Sequence, residues 1–272
     1  MRIGFIGIGN MGGAILSGYA ATEAAENHKL MAFDMNENVC AKAKRDIPQL
    51  EICESSSALC KEADLIILGV KPQVIEGVLQ DISGAYDTSK TVVSMAAGVD
   101  MSVIEKYLGS DAKVIRIMPN TPAKVGEAMI AVCRNENTKP AVFDAAMDIF
   151  DSIGMAKEVD ESLIDCVIGV SGSSPAYTYM YIEALTDAAE ANGMDRAKAR
   201  IFAAQAVLGA AKMVLESPES LEQLRINVCS PNGTTIESVN KLFENGFMDK
   251  VKEGFQAAVD RSVEMAEEKR RG

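Results

Sequence analysis

Histidine occurs once in these 272 residues, at position 28, and the six cysteines at 40, 53, 60, 133, 166 and 229 form no C-x-x-C pair. Protein zinc centres draw clustered Cys and His ligands, so the sequence offers no metal site. Basic residues are also in deficit: 27 Lys and Arg against 39 Asp and Glu give a formal charge of -12 and a pI near 4.7. Nucleic acids and anionic membranes both require clustered cations, so neither is an expected partner, and small molecules are. No apolar run approaches the roughly 20 residues of a membrane-spanning helix. The start, MRIGFIGIG, has no apolar signal core set apart from a cleavage site, because its apolar residues run directly into a glycine motif. A cytoplasmic, thiol-reduced protein is the expectation. Internal repeats, low-complexity tracts and a Gly-, Pro- or Ser-rich linker are missing as well.

What is present is ample apolar material: 48% of the residues are hydrophobic, enough for one or two packed domains at this length. Up to about residue 160, the β-rich runs RIGFI, KLMAF, DLIILGV, TVVSM and KVIRIM alternate with segments of helical spacing. Alternation of this kind predicts a Rossmann-like, doubly wound and mostly parallel α/β sheet. DLIILGV, apolar at nearly every position, suits a strand covered on both faces and belongs mid-sheet. After Asp160 the strand signals stop and Ala-rich helical stretches follow, AYTYMYIEALTDAAEANGM and RAKARIFAAQAVLGAAKMVLES. The organisation read from this is an α/β domain over residues 1–160 and an all-α domain over 161–272.

In RIGFIGIGNMGGAI, Gly7, Gly9 and Gly12 have the G-x-G-x-x-G spacing between an apolar strand and a helical run. Each glycine has its own task in a dinucleotide site. The first makes the tight turn, the second admits a pyrophosphate close to the backbone, and the third lets helix and strand pack closely. An acidic residue, Asp34, ends the next strand, 22 positions beyond Gly12, where a carboxylate can accept a hydrogen bond from a ribose 2′-OH; the alternative is a helix N-cap in DMNENV. Two further loops follow strands, VKPQ at 70–73 and SMAAG at 94–98. Lys71 faces either a phosphate or ribose, or solvent, there, and Ala96, Ala97 and Gly98 either leave room for a flat ring or close-pack a strand end. Late in the chain, VCSPNGTTI at 228–236 is a charge-free polar stretch between helical segments. Pro231, Asn232 and Gly233 suit a turn, and the hydroxyls and free amides of a helix start suit an anion; the stretch by itself is compatible with either use.

With these stretches in view, the chain resembles pyrroline-5-carboxylate reductases nearly end to end. The resemblance is carried by FIGIGNMGGAI, VKPQ, SMAAG, RIMPNTPAKVGEA (116–128), SGSSPAYTYMYIEAL (171–185), AAQAVLGAAKMVLES (203–217) and CSPNGTTI (229–236). It implies a reduction of 1-pyrroline-5-carboxylate to L-proline by hydride transfer from NADPH or NADH, the last step of proline biosynthesis. It also implies that the helical domain dimerises, and that the homodimers can assemble into a larger ring. By the same resemblance Thr235 is the catalytic hydroxyl at the ring nitrogen, with Ser230, Pro231, Asn232, Gly233 and Thr234 around the substrate carboxylate. The implied cofactor residues are Ile6, Gly7, Ile8, Gly9, Asn10, Met11 and Gly12 at the pyrophosphate, then Asp34 and Ser56, then Gly69, Val70, Lys71 and Pro72, with Met95, Ala96 and Ala97 beside the nicotinamide.

The chain departs from the family pattern at Ser174 and Asn232, where glycine is usual, and at Asp34 and Met35, where small polar residues or an arginine occur. The last departure puts a preference for NADPH in doubt. Two other readings share parts of the pattern. A β-hydroxyacid or 6-phosphogluconate-type dehydrogenase needs a lysine acid/base at the head of its second domain, and 167–184 contains none. A non-catalytic NAD(P)-sensing module would leave SPNGTT without a purpose.

Overall fold

The computed structural model describes residues 1–271, which form two compact units: Met1–Ser173 together with the chain from Ala257 onward, and Ser174–Gln256. The first unit is built on an eight-stranded sheet of β1 (Arg2–Ile6), β2 (Lys29–Phe33), β3 (Glu51–Ile52), β4 (Leu65–Leu68), β5 (Thr91–Ser94), β6 (Lys113–Met118), β7 (Ala128–Arg134) and β8 (Gly154–Glu158). Their order is β3-β2-β1-β4-β5-β6-β7-β8, with every neighbouring pair parallel except β6 and β7. The five runs read as strands are all strands. β4 lies between β1 and β5 with all four residues buried, as its unbroken apolar pattern requires. β3, β7 and β8 were not read as strands. Two residues are too few to show a period, and in GMAKE only Ala156 is buried.

The helices α1 (Asn10–Ala20), α2 (Glu37–Asp46), α3 (Ser56–Glu62), α4 (Ile75–Ser83), α5 (Met101–Leu108) and α6 (Pro140–Asp151) connect strands and cover both faces of the sheet. The period-2 geometry of a strand sends Leu65 and Ile67 into one apolar cluster with Ile15, Tyr19 and Phe150, and Ile66 and Leu68 into the other with Leu79 and Ile104. The chain crosses from β1 outward to β2 and β3, then returns to place β4 on the other side of β1. That reversal leaves a crevice at the carboxyl ends of β1 and β4, the place where open α/β sheets bind ligands.

α7 (Ile164–Val167) runs into one π-helical stretch, Ile168–Gly172, and the remaining elements are all helices: α8 (Ser174–Ala191), α9 (Arg196–Glu216), α10 (Leu221–Val228), α11 (Thr234–Glu244) and α12 (Phe247–Arg271). In the second unit only Thr186, Ala199 and Ala203 are buried among the described residues. Ile201, Phe202, Leu215 and Leu221 are each at least 60% exposed. Apolar side chains lie all round α9, and a helix of that kind has to be buried. One chain does not bury it, so a second copy must, which accords with the dimerisation expected from the sequence. Sedimentation at micromolar concentration is expected to give at least twice the 29.1 kDa chain mass, and a single-chain mass would refute this. No helix among the described residues is long and apolar enough to cross a membrane.

Candidate functional site

At the crevice between β1 and β4, the glycine loop is built by backbone proximity. Gly7 has φ +86°, a conformation that L side chains rarely adopt, and its N–H donates to Phe33 O at 2.8 Å. A Cβ on Gly12 would lie 2.1 Å from Gly7 O, and one on Gly69 would lie 2.2 Å from the same oxygen. Three glycines thus close the end of β1 against α1 and the end of β4. Gly9 differs, because a Cβ there would meet nothing within 4 Å. The loop therefore has an open face at the start of α1, where Gly9 is the cap residue and no side chain caps the helix. Free first-turn N–H groups beside open space fit the pyrophosphate of a dinucleotide.

Asp34 is fixed across this loop. Its Oδ2 accepts from Ile8 N–H at 2.9 Å and its Oδ1 from Asn36 N–H at 2.9 Å. The helix cap in DMNENV is Asn36, whose Oδ1 accepts from Asn38 N–H at 3.1 Å. The N-cap alternative for Asp34 is thereby excluded: the side chain ties β2 to the glycine loop and lines a groove with Phe33, Met35, Glu37, Cys53 and Glu54. Burial first, and then the nearby Glu51 and Glu62, pushes the Cys53 thiol up to about 11, so it is neutral at pH 7 and no nucleophile. Ser56 is buried at the start of α3, which Ser55 caps through Ala58 N–H at 3.0 Å.

Gly69, Val70, Lys71 and Pro72 turn the chain out of β4; Lys71 is exposed and its ammonium has no partner among the described residues. Met95, Ala96 and Ala97 follow β5, with Ala96 N–H on Ser94 Oγ at 3.3 Å. The next residue, Gly98 (φ +68°), packs so closely on α12 that a Cβ would lie 2.9 Å from that of Met265. Ser262 Oγ of the same helix stands 2.6 Å from Asp165 Oδ1. The return of α12 beneath SMAAG had no local signal in the sequence.

A buried cation was missed as well. Arg116 on β6 is 3% exposed and its Nη1 donates to Asp100 Oδ1 at 3.0 Å and Glu161 Oε1 at 2.9 Å. Glu161 Oε1 also accepts Met101 N–H at 2.8 Å, fixing the start of α5. The available signal was one arginine flanked by Val114, Ile115, Ile117 and Met118 in the strand KVIRIM. Asn120 bridges in the same manner, accepting Met129 N–H at 3.0 Å and donating to Ser171 O at 3.1 Å.

In the second unit, 229–233 forms a turn between α10 and α11, closed by Gly233 N–H on Ser230 O at 3.0 Å. Asn232 has φ +58°, and among the described residues it alone of the non-glycines has a positive φ. That left-handed position is one that Asn tolerates. Gly233 caps α11 without a side-chain hydrogen bond, and Thr234 and Thr235 are its first two residues. The Thr235 hydroxyl is partly buried with no partner among the described residues. Thr234, Thr235 and the amides around them thus form a helix start with unfilled donors. The turn is present, and its helix start has the free donors that the anion reading requires.

Residues 161–265 match the family model for pyrroline-5-carboxylate reductase dimerisation, and residues 2–98 match that for NADP oxidoreductase, coenzyme F420-dependent. The chain is similar to pyrroline-5-carboxylate reductase of Escherichia coli K12, 42% identical over 265 residues covering 97% of this chain and 98% of the relative. It is also similar to human pyrroline-5-carboxylate reductase 2, 36% identical over 270 residues covering 97% and 84%. A crystal structure of the Plasmodium falciparum pyrroline carboxylate reductase with NADP bound superposes with a TM-score of 0.88 at 31% identity, covering 98% of each chain.

Proposed function

This chain belongs to the pyrroline-5-carboxylate reductase family, and from that premise we propose that it reduces 1-pyrroline-5-carboxylate to L-proline, as the last step of proline biosynthesis. It is an NAD(P)H-dependent oxidoreductase, and the bound cofactor supplies a hydride to the C=N carbon of the cyclic imine. The imine nitrogen takes up a proton readily near neutral pH, so no strong general acid is required. Orientation carries the remaining burden, and it can supply several kcal/mol of barrier lowering.

The reading is carried by the uncapped start of α11: a left-handed Asn232, a Gly233 cap and the unpartnered Thr235 hydroxyl. In this proposal Ser230, Asn232, Gly233 and Thr234 hold the substrate carboxylate, with Pro231 shaping the turn, and Thr235 Oγ1 holds the ring nitrogen. Residues 6–12 hold the pyrophosphate through backbone amides, Asp34 and Ser56 serve the adenosine half, 69–72 line the cofactor, and 95–97 border the nicotinamide. We take residues 1–160 as the cofactor domain and 161–272 as the substrate and dimerisation domain of a cytoplasmic homodimer that can assemble into a ring of dimers, although 161–173 and the chain from Ala257 onward pack in the first compact unit.

Purified protein given 1-pyrroline-5-carboxylate with NADH or NADPH is expected to consume the reduced nicotinamide absorbance. No oxidation of either cofactor at saturating imine would overturn the reading.

A further inference from the structure

Resting on that cofactor assignment, we propose that this chain selects NADH over NADPH, and that the selection is made by Asp34, Glu37 and Glu54 together with the way α2 uses its first amides. The two nucleotides differ only at the adenosine 2′ position, a hydroxyl in one and a phosphate of between one and two negative charges in the other. Asp34, at the carboxyl end of β2, is pinned by Ile8 N–H and Asn36 N–H, both at 2.9 Å. A carboxylate presents about four acceptor positions, so two remain for a ribose hydroxyl, which can donate to them. A phosphate ester in its dianionic form cannot donate, and in either ionised form its charge repels the carboxylate.

The side chain cannot swing away at no cost. Ile8 is buried, and withdrawing Asp34 would leave its N–H unsatisfied. Two amides at the start of α2, otherwise a natural phosphate site, are already committed: Asn36 N–H is taken by Asp34 and Asn38 N–H by Asn36. Glu37 and Glu54 add two more carboxylates to the groove. Lys44 is the cation among its lining residues, and its ammonium donates to Pro48 O at 2.9 Å and Leu50 O at 2.7 Å. Met35, 93% exposed, offers no donor where an arginine would clasp the phosphate. Charge and hydrogen bonding therefore both disfavour a 2′-phosphate.

The test is direct titration of the purified full chain with NADH and with NADPH, following the fluorescence of the reduced nicotinamide. NADH is expected to bind about tenfold more tightly or better, tenfold being 1.4 kcal/mol. Asp34→Asn, which keeps the shape and removes the charge, is expected to weaken NADH and to draw the two dissociation constants together. Equal affinities in the unaltered protein, or tighter NADPH, would overturn the selection while leaving the reductase assignment intact; binding of neither nucleotide would overturn both. Should Asp34→Asn fail to fold, Glu54→Gln on an exposed side chain gives the same readout with a smaller narrowing. An unchanged ratio in the folded variant would remove the carboxylates as the cause.

Discussion

Thr235→Val is expected to lower kcat/KM for 1-pyrroline-5-carboxylate about ten- to a hundredfold while leaving the melting temperature within a degree or two of the unaltered protein. The magnitude is that of one hydrogen bond to a charged or developing ammonium, roughly 1.5 to 3 kcal/mol. The separation from stability follows from position. Thr235 is the second residue of α11, the cap is Gly233, and the hydroxyl has no partner among the described residues. A true capping side chain would contribute about 1 kcal/mol to folding and would show itself as a lower melting temperature. Thr235→Ala removes the γ-methyl as well, so a larger loss in Ala than in Val reports packing against the substrate ring. Activity close to that of the unaltered protein in both variants would move the role to another hydroxyl of the loop, Ser230 first.

Gly12→Ala and Gly9→Ala are expected to fail in opposite ways. At Gly12 the new methyl would sit 2.1 Å from Gly7 O and 3.3 Å from Gly69 Cα, both backbone atoms that no rotamer change can move. Overpacking of this kind costs about 1 to 3 kcal/mol or more, a fall in melting temperature of roughly 2 to 4 °C for each kcal/mol. Nucleotide affinity should be lost with it, because α1 is pushed off the loop. At Gly9 the methyl meets nothing within 4 Å, and only ψ of -148°, beside a φ of -67°, lies outside the region an L side chain favours, so the cost to the fold is small beside that at Gly12. The fold should lose far less than with Gly12→Ala, yet the methyl occupies the space through which a pyrophosphate would approach, and a clash of about 1.4 kcal/mol is tenfold in Kd. Thermal melts with and without NADH separate the two variants. A Gly9→Ala protein with full affinity would show that the open face is not where the cofactor lies.

How much of this was readable in advance depended on how local its cause was. The glycine spacing, the five principal strands and the change to helix after Asp160 are set by neighbours a few positions apart, and each was legible. Asp34 was legible as an acidic residue at a strand end, but its partner Ile8 N–H lies 26 positions away and decides that it is a tether and not a cap. Arg116 was read only as part of a strand, since nothing near it in sequence announces Glu161, 45 positions on. The left-handed turn at Asn232 was legible as tolerance of an unusual φ; that α11 starts immediately after it, with its donors free, was open between two uses.

The sequence by itself therefore determined the class of fold, the nucleotide fingerprint and the family, because periodicity, glycine spacing and motif order are properties of the chain. Tertiary structure decided the rest: the reversal that brings Gly69 against Gly7, the antiparallel β7 beside β6, the return of Met265 to Gly98 and the helical surface that needs a second copy. The physical reason is that these depend on which distant backbones approach each other. That is settled by the crossovers of the sheet and the burial of whole faces, and no short window of residues contains it.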